Sequence, residues 1–175
     1  MAKPQRVKSA KNTKSATSKV KKGKGPRILV VESRFYNDIS DELLDGAKRV
    51  LDAANAEWDR IAVPGSLEIP VAIQIGLDAA EKARKPYEGV VALGCVVQGE
   101  TFHFDIVAMQ SARALMDIAM ERRIPIGNGI LTVDTMPQAW ARARLEEGDK
   151  GGDAARATLK LVEVKRMGAQ SGAKR

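Results

Sequence analysis

The one histidine of the chain, His103, stands where a strand would turn into a helix. An apolar run over 89–97 predicts a strand buried on both faces, and an apolar-rich stretch over 102–123 predicts a long helix. The connection between them contains Gly and Thr, so free backbone N–H groups and the positive end of the helix dipole meet at one place, which suits a phosphate. The same dipole favours a neutral imidazole that accepts a proton near pH 7, although His103 could instead only cap or pack the helix.

Other side chains suited to ligand binding follow the remaining predicted strands. Phe35, in a polar loop, could stack on a flat heteroaromatic ring or could form a small satellite core beneath its loop. Glu68 could accept hydrogen bonds from a polyol or complement the dipole of its own helix. Arg142 and Lys150 could hold a phosphate, or they could be ordinary solvated surface charges.

Cysteine and histidine usage excludes several kinds of site. Cys95 is the only cysteine, so an internal disulfide is impossible and a reducing compartment is favoured. We interpret Cys95 as a small buried hydrophobic residue. One His and one Cys cannot form a metal-ligand cluster, so no metal is expected. No apolar run approaches the ~20 residues of a membrane span and no secretory signal is present, which predicts a soluble cytoplasmic protein without a membrane partner.

Charge is distributed unevenly along the 175 residues. Residues 1–27 carry ten Lys or Arg and no acid, residues 28–164 carry fifteen basic and twenty-two acidic residues, and the last eleven residues add four positive charges. Low apolar content predicts disordered basic tails over 1–26 and 168–175, flanking one domain over 27–167. The longer tail has no aromatic residue to stack on a base, so we expect no specific nucleic-acid partner.

Hydrophobic periodicity predicts a β-α-β-α-β-α-β-α-α order. Parallel strands with helices on both faces follow from this alternation, so the predicted fold is a flavodoxin-like three-layer α/β/α sandwich with a four-stranded parallel sheet. The third helix is apolar around most of its circumference, and we expect a partner subunit to cover part of it. The predicted strands are 27–31, 58–63, 89–97 and 124–131, and the predicted helices are 39–55, 67–85, 102–123, one ending near Glu147, and 153–167.

Several motifs together resemble the lumazine synthase family, over about residues 27–166. They occur in the order and spacing of the family, which makes the match specific although each motif alone would be weak. The motifs are Arg34-Phe35, Pro64-Gly65-Ser66-Leu67-Glu68-Ile69-Pro70, the stretch from Leu93 to Phe104, Asn128-Gly129-Ile130-Leu131-Thr132, Gln138 to Ala143, and Gly148-Asp149-Lys150-Gly151.

This resemblance implies the penultimate step of riboflavin synthesis. The family condenses 5-amino-6-ribitylamino-2,4-pyrimidinedione with 3,4-dihydroxy-2-butanone 4-phosphate, giving 6,7-dimethyl-8-ribityllumazine, phosphate and water. Imine formation, phosphate loss, ring closure and dehydration require orientation and proton transfer, so no cofactor is expected. A lumazine- or flavin-binding isoform with weak or no activity is the alternative.

The resemblance also implies roles for individual residues. It implies stacking of the pyrimidine ring on Phe35, binding of the ribityl chain by the segment 66–68, and proton transfer by His103. Arg142 would reach the phosphate from the neighbouring subunit. The full set of implied site residues is Phe35, Ser66, Leu67, Glu68, Val96, Val97, Gly99, Glu100, Thr101, His103, Asn128, Arg142, Lys150 and Asp153.

Three positions depart from the commonest family pattern, and the assembly state is left open. Tyr36, Gln98 and Asn128 stand where Asn, Arg and an aromatic residue are frequent, so Arg142 would carry more of the anion binding. Family members are pentamers or icosahedral shells of twelve pentamers. The residues 145–147 replace a smaller, more flexible sequence of shell-forming members, which favours a free pentamer.

Overall fold

The computed structural model describes residues 25–172 of the chain. The predicted basic tail over 1–26 therefore lies outside the described residues, apart from Gly25 and Pro26. Pro26 is buried, and its carbonyl accepts a hydrogen bond from the backbone N–H of Glu57 at 3.0 Å. Residues 173–175 of the second predicted tail also lie outside the described part.

Residues 25–172 form four parallel strands and five helices in the predicted order. The sheet has the strand order β2-β1-β3-β4. The strands are β1 (Arg27–Ser33), β2 (Glu57–Val63), β3 (Gly89–Val97) and β4 (Ile126–Val133). The helices are α1 (Asn37–Ala53), α2 (Glu68–Lys82), α3 (His103–Arg122), α4 (Met136–Ala143) and α5 (Lys150–Gly172).

The sheet separates two apolar cores. Ile28 and Val30 of β1 point into a core shared with α1, α4 and α5, whereas Leu29 and Val31 point into a core shared with α2 and α3. Burial on both faces is what a central strand of a parallel sheet requires, and it explains the continuous apolar run in this part of the sequence. The predicted flavodoxin-like three-layer α/β/α sandwich with a four-stranded parallel sheet is confirmed.

Several strand and helix ends differ from the prediction, and two of them depend on polar interactions that the apolar pattern does not show. β1 continues through Glu32 and Ser33, both buried, because the Glu32 carboxylate is paired with arginine side chains. α4 ends at Ala143, not near Glu147, since the carbonyl of Arg144 accepts the N–H groups of Glu147 and Asp149 and closes the chain into turns.

The last helix is longer than predicted at both ends. α5 begins at Lys150 and runs to Gly172, so residues 168–172 are helical where a tail was expected. Its start is fixed by Asp149, whose carboxylate accepts the N–H of Gly152 at 3.2 Å, in the manner of an N-cap. Within residues 25–172 no helix has the length and hydropathy that crossing a bilayer requires.

Close backbone approach fixes α5 against the sheet. A Cβ on Gly127 of β4 would lie 2.0 Å from the carbonyl oxygen of Ala154, and one on Gly89 of β3 would lie 2.7 Å from Thr158. Thr158 in turn donates its hydroxyl to the Val90 carbonyl at 2.9 Å. Small residues at these points therefore set the distance between helix and sheet.

Replacing Gly127 by Ala is expected to lower the free energy of unfolding by about 2–3 kcal/mol, because backbone atoms of α5 must move to admit the methyl group. Gly168→Ala is the matched control. Gly168 lies on α5, and among the described residues no neighbouring atom is within 4 Å of its Cβ position. That variant should be unchanged or stabilised by up to about 1 kcal/mol. Urea unfolding at one fixed protein concentration measures both, and equal stabilities would contradict the assigned contact.

Candidate active site

The reversal of strand order places a cleft between β1 and β3. The chain leaves β1 toward the α1 face and leaves β3 toward the α3 face, so the two following segments diverge at the carboxyl end of the sheet. Ligands of open parallel sheets bind at such switch points. A cleft of about 470 Å³ lies there.

The loops after three strands and the first turns of α3 line this cleft. They bring together nine of the fourteen residues that the sequence indicated: Phe35, Ser66, Leu67, Glu68, Val96, Val97, Gly99, Thr101 and His103. The other lining residues are Tyr36, Pro64, Gly65, Cys95, Phe104 and Val107. Sequence reasoning missed Phe104 and Val107 as site residues, although Val107 lies one turn after His103 and helical spacing would have placed it on the same face.

The last residues of β3 extend past β1 and expose backbone groups at the cleft. Pairing with β1 ends at Glu32 and Leu93. The N–H groups of Val90 and Gln98 bond to the β4 side, so even-numbered residues of β3 direct their backbone groups toward β4 and odd-numbered ones toward β1. The N–H and C=O of Val97 therefore face the side where β1 has ended, and those of Val96 face β4.

Phe35 offers a free aromatic face at this end of the sheet. Its side chain is 69% exposed, and its only ring contact among the described residues is an edge-to-face contact with Tyr36 at 4.9 Å between centroids. The small satellite core that was one interpretation of Phe35 is therefore absent. An exposed phenyl ring at the mouth of a cleft can stack on a flat ligand.

The segment before α2 presents backbone groups and one carboxylate. The carboxylate of Glu68 lies over Gly65, since a Cβ on that glycine would be 2.8 Å from Oε2 of Glu68. Ser66 is buried, and its hydroxyl is 3.4 Å from the hydroxyl of Ser33, so the side chain of Ser66 is directed partly into the structure. Leu67 precedes α2 and is exposed.

The turn between β3 and α3 is open on its cleft side. Gly99 has no atom within 4 Å of its Cβ position, and no glycine of the described chain has a positive φ. Neither packing nor backbone conformation therefore requires a glycine there. No side chain caps the start of α3, and His103 is its first residue and is exposed. This arrangement leaves room for an anion at the helix N-terminus.

Five of the indicated residues do not line the cleft of their own chain. Glu100 is exposed in the turn, and Arg142 is exposed on α4, where its guanidinium donates to the carbonyl of Gln138 at 3.0 Å. Asn128 is the third residue of β4, and its Oδ1 accepts the N–H of Ile130. It is exposed on the sheet face that α2 and α3 cover.

Lys150 and Asp153, the other two, pair with each other at the start of α5. The Lys150 ammonium is 2.8 Å from the Asp153 carboxylate, which also accepts a bond from Arg156 at 2.7 Å. These two bonds hold the pKa of Asp153 below its usual range. No Lys or Arg is among the described residues that line the cleft, so residues 25–172 of one chain offer a phosphate no cationic side chain there.

Cys95 lines the floor of the cleft but is a poor nucleophile. Burial raises the pKa of its thiol to about 11, which agrees with the interpretation of a small buried hydrophobic residue. The folded protein favours the protonated thiol. The thiol's contribution to the free energy of unfolding is therefore complete below pH 9 and is lost as the pH rises to about 11.

Iodoacetamide is therefore expected to alkylate Cys95 slowly in the native protein at pH 8, where only on the order of a thousandth of the thiol is ionised. The urea-unfolded chain serves as the control and should react at least about 100-fold faster. Mass spectrometry of timed samples measures both rates. Equal rates in native and unfolded protein would contradict the assigned burial.

Comparison with known proteins agrees with the geometry. The sequence profile of the 6,7-dimethyl-8-ribityllumazine synthase family matches residues 25–166. The 6,7-dimethyl-8-ribityllumazine synthase of Nitrobacter hamburgensis is 61% identical over 142 residues, covering 81% of this chain and 87% of that protein. The protein of that name from Rhodopseudomonas palustris strain BisA53 is 56% identical over 166 residues, covering 95% and 97%. The chain thus belongs to the 6,7-dimethyl-8-ribityllumazine synthase family, as its motifs predicted.

Proposed function

We propose that this chain is a transferase of riboflavin biosynthesis that condenses 5-amino-6-ribitylamino-2,4-pyrimidinedione with 3,4-dihydroxy-2-butanone 4-phosphate. The products are 6,7-dimethyl-8-ribityllumazine, phosphate and water. One observation carries the proposal: a single cleft unites an exposed aromatic ring, a carboxylate, an uncapped helix N-terminus and the only histidine of the chain.

The pyrimidinedione binds at the β1 side of the cleft. Its ring stacks on Phe35, and its polar edge hydrogen-bonds to backbone groups at the end of β3. The orientation of β3 favours Val97 as the direct partner, while Val96 supplies apolar contact from its side chain. The ribityl chain lies along the segment 66–68, where the Glu68 carboxylate accepts hydrogen bonds from its hydroxyl groups.

The phosphate binds at the turn before α3. Backbone N–H groups of Gly99, Glu100 and Thr101 and the first turn of α3 face the anion. Because the cleft of one chain has no lysine or arginine among the described residues, the cation comes from a neighbouring chain, and Arg142 is the proposed donor. Lys150 and Asp153 lie near the same phosphate in this arrangement.

Positioning and proton transfer supply the catalysis. Holding the amine of one substrate against the carbonyl of the other contributes on the order of 7–11 kcal/mol to lowering the barrier. Imine formation, elimination of phosphate, ring closure and dehydration each move a proton, and His103 at the start of α3 accepts and returns it. General acid–base catalysis of this kind contributes about 10²–10⁴-fold.

An apolar surface on α2 and α3 supports a homo-oligomer. Ile75 of α2 is 65% exposed and Met109 of α3 is 64% exposed, and the same surface includes Val71, Ile106, Met116 and Met120. Contiguous apolar side chains of this size mark a contact with another chain. Asn128 lies on the same face of the sheet, so docking there would bring it toward a neighbour's cleft. We infer that the chain forms a homopentamer, either alone or as one of twelve pentamers in an icosahedral shell.

The cytoplasmic location of the protein stays a prediction.

His103→Ala is expected to lower kcat by about 10²-fold without abolishing turnover, because positioning and electrostatic stabilisation persist. Binding of the fluorescent product, measured by fluorescence titration, should be almost unchanged. Phe35→Ala is the comparison variant and should instead weaken product binding. Complete loss of turnover in His103→Ala with intact binding would contradict a role limited to proton transfer.

Gly99→Ala is expected to raise KM for the butanone phosphate about 10-fold, because the new methyl group occupies the space through which the anion reaches the backbone N–H groups. Its free energy of unfolding should change by less than about 0.5 kcal/mol, since no atom of residues 25–172 outside the neighbouring positions lies within 4 Å of the Cβ position. Steady-state kinetics and urea unfolding separate the two effects. An unchanged KM would exclude phosphate binding at this turn.

Complementation between chains tests the proposed function and the shared site together. Phe35→Ala and Arg142→Ala chains are unfolded, mixed and refolded, and formation of lumazine from the two substrates is followed by its fluorescence. If each site combines two chains, about a quarter of the sites regain both residues, so the mixture exceeds either parent. Mixing two copies of the Phe35→Ala, Arg142→Ala double variant is the control. Lack of gain would refute the shared site, and product binding by an inactive wild-type protein would favour a binding isoform.

A further inference from the structure

A buried carboxylate lies beneath the loop of residues 34–36, which carries Phe35, and has no part in the site described so far. Glu32, the penultimate residue of β1, is fully buried. Its Oε1 accepts a hydrogen bond from Nε of Arg60 at 2.6 Å and lies 3.6 Å from the guanidinium of Arg34. Its Oε2 is buried without a hydrogen-bond partner among the described residues. Both cations therefore share one oxygen.

Arg34 is held from several directions, whereas its neighbour Phe35 is not. The backbone N–H of Arg34 donates to the carbonyl of Val63 at 2.9 Å. Its side chain donates to Asn37 at 3.1 Å and to Asp41 at 2.7 Å, both on α1. Phe35 is largely exposed, so packing does not fix its ring. Apart from the edge contact with Tyr36, the position of that ring therefore depends on the backbone held at Arg34.

We propose that Glu32 is a positioning residue, which holds Arg34 and thereby orients Phe35 for stacking on the substrate ring. The inference rests on the proposed function, in which Phe35 is the stacking surface. Arg34 is held between two carboxylates, of which Glu32 is buried and Asp41 is exposed. Together they bridge the end of β1 to the first turns of α1, on either side of the loop that carries the ring.

A purely structural tie between β1 and β2 does not explain this carboxylate. The two strands already pair along seven residues, from Arg27 with Glu57 to Ser33 with Val63. Burying a carboxylate costs several kcal/mol, and an apolar side chain at such a position is often neutral or stabilising. A charge at position 32 is useful for a different reason: it fixes the Arg34 side chain, and Arg34 directly precedes the residue that carries the aromatic ring.

Two variants separate positioning from stability. Glu32→Gln keeps the size of the side chain and removes its charge, and Asp41→Asn removes the charge at the exposed end without disturbing the core. Asp45→Asn, one turn further along α1 and exposed, is the matched control because Asp45 does not bond to Arg34. The readout is the Kd of 6,7-dimethyl-8-ribityllumazine by fluorescence titration, which needs no turnover.

We expect Glu32→Gln and Asp41→Asn each to raise this Kd about 5-fold or more. The fold increase in KM should exceed the fold decrease in kcat. Asp45→Asn should match the wild type. In a Phe35→Ala background the same substitutions should change Kd by less than about 2-fold, since the ring they orient is gone. If Glu32→Gln fails to fold, the Asp41→Asn cycle decides alone.

Two results would overturn the assignment. One is an unchanged Kd in the single variants that fold. The other is an increase in Kd that is just as large in the Phe35→Ala background as in the wild type, which would mean that Glu32 and Asp41 affect ligand binding independently of Phe35. A wild-type protein that neither binds the lumazine nor forms it would instead refute the proposed function, so the two failures are distinguishable.

Discussion

The divergence of the chain after β1 and after β3 is the constraint on which the site depends. β1 ends at Ser33 and leads to α1 on one face, while β3 continues to Val97 and leads to α3 on the other. Adjacent parallel strands that send their connections in opposite directions must leave a gap at their carboxyl ends. The backbone of Val97 and the ring of Phe35 are exposed in this gap. The first turn of α3, with His103, lies at the same gap.

The two helical layers differ in how completely they are closed. The face under α1, α4 and α5 is closed tightly, with Gly127 and Gly151 in backbone contact with the neighbouring elements. The face under α2 and α3 is closed only on its inner side, and its outer side carries exposed Ile and Met side chains. These exposed apolar side chains are the surface on which the proposed homo-oligomer rests.

Charge in this domain serves mainly to place loops. Glu32 and Asp41 hold Arg34 beside the aromatic ring, and the Asp41 carboxylate keeps its pKa low through that hydrogen bond. Asp149 adopts a positive φ of 41° and bonds to Arg49 and Arg156, which fixes where α5 begins. In both places a buried carboxylate pairs with two arginines, whereas the cleft contains no lysine or arginine among the described residues.

The fold class could be predicted from the sequence because alternating apolar runs are local signals, and the motifs that resemble the family indicated nine of the residues that line the cleft. The length of β1 could not be predicted, since a charged Glu32 interrupts the apolar pattern and its carboxylate is paired with Arg60 of β2, which is distant in sequence. The end of α4 and the bounds of β4 were also misplaced, because they depend on turn hydrogen bonds and on strand register. Only the tertiary structure decided that Val97, not Val96, turns its backbone to the cleft, because that direction follows from which neighbouring strand ends first.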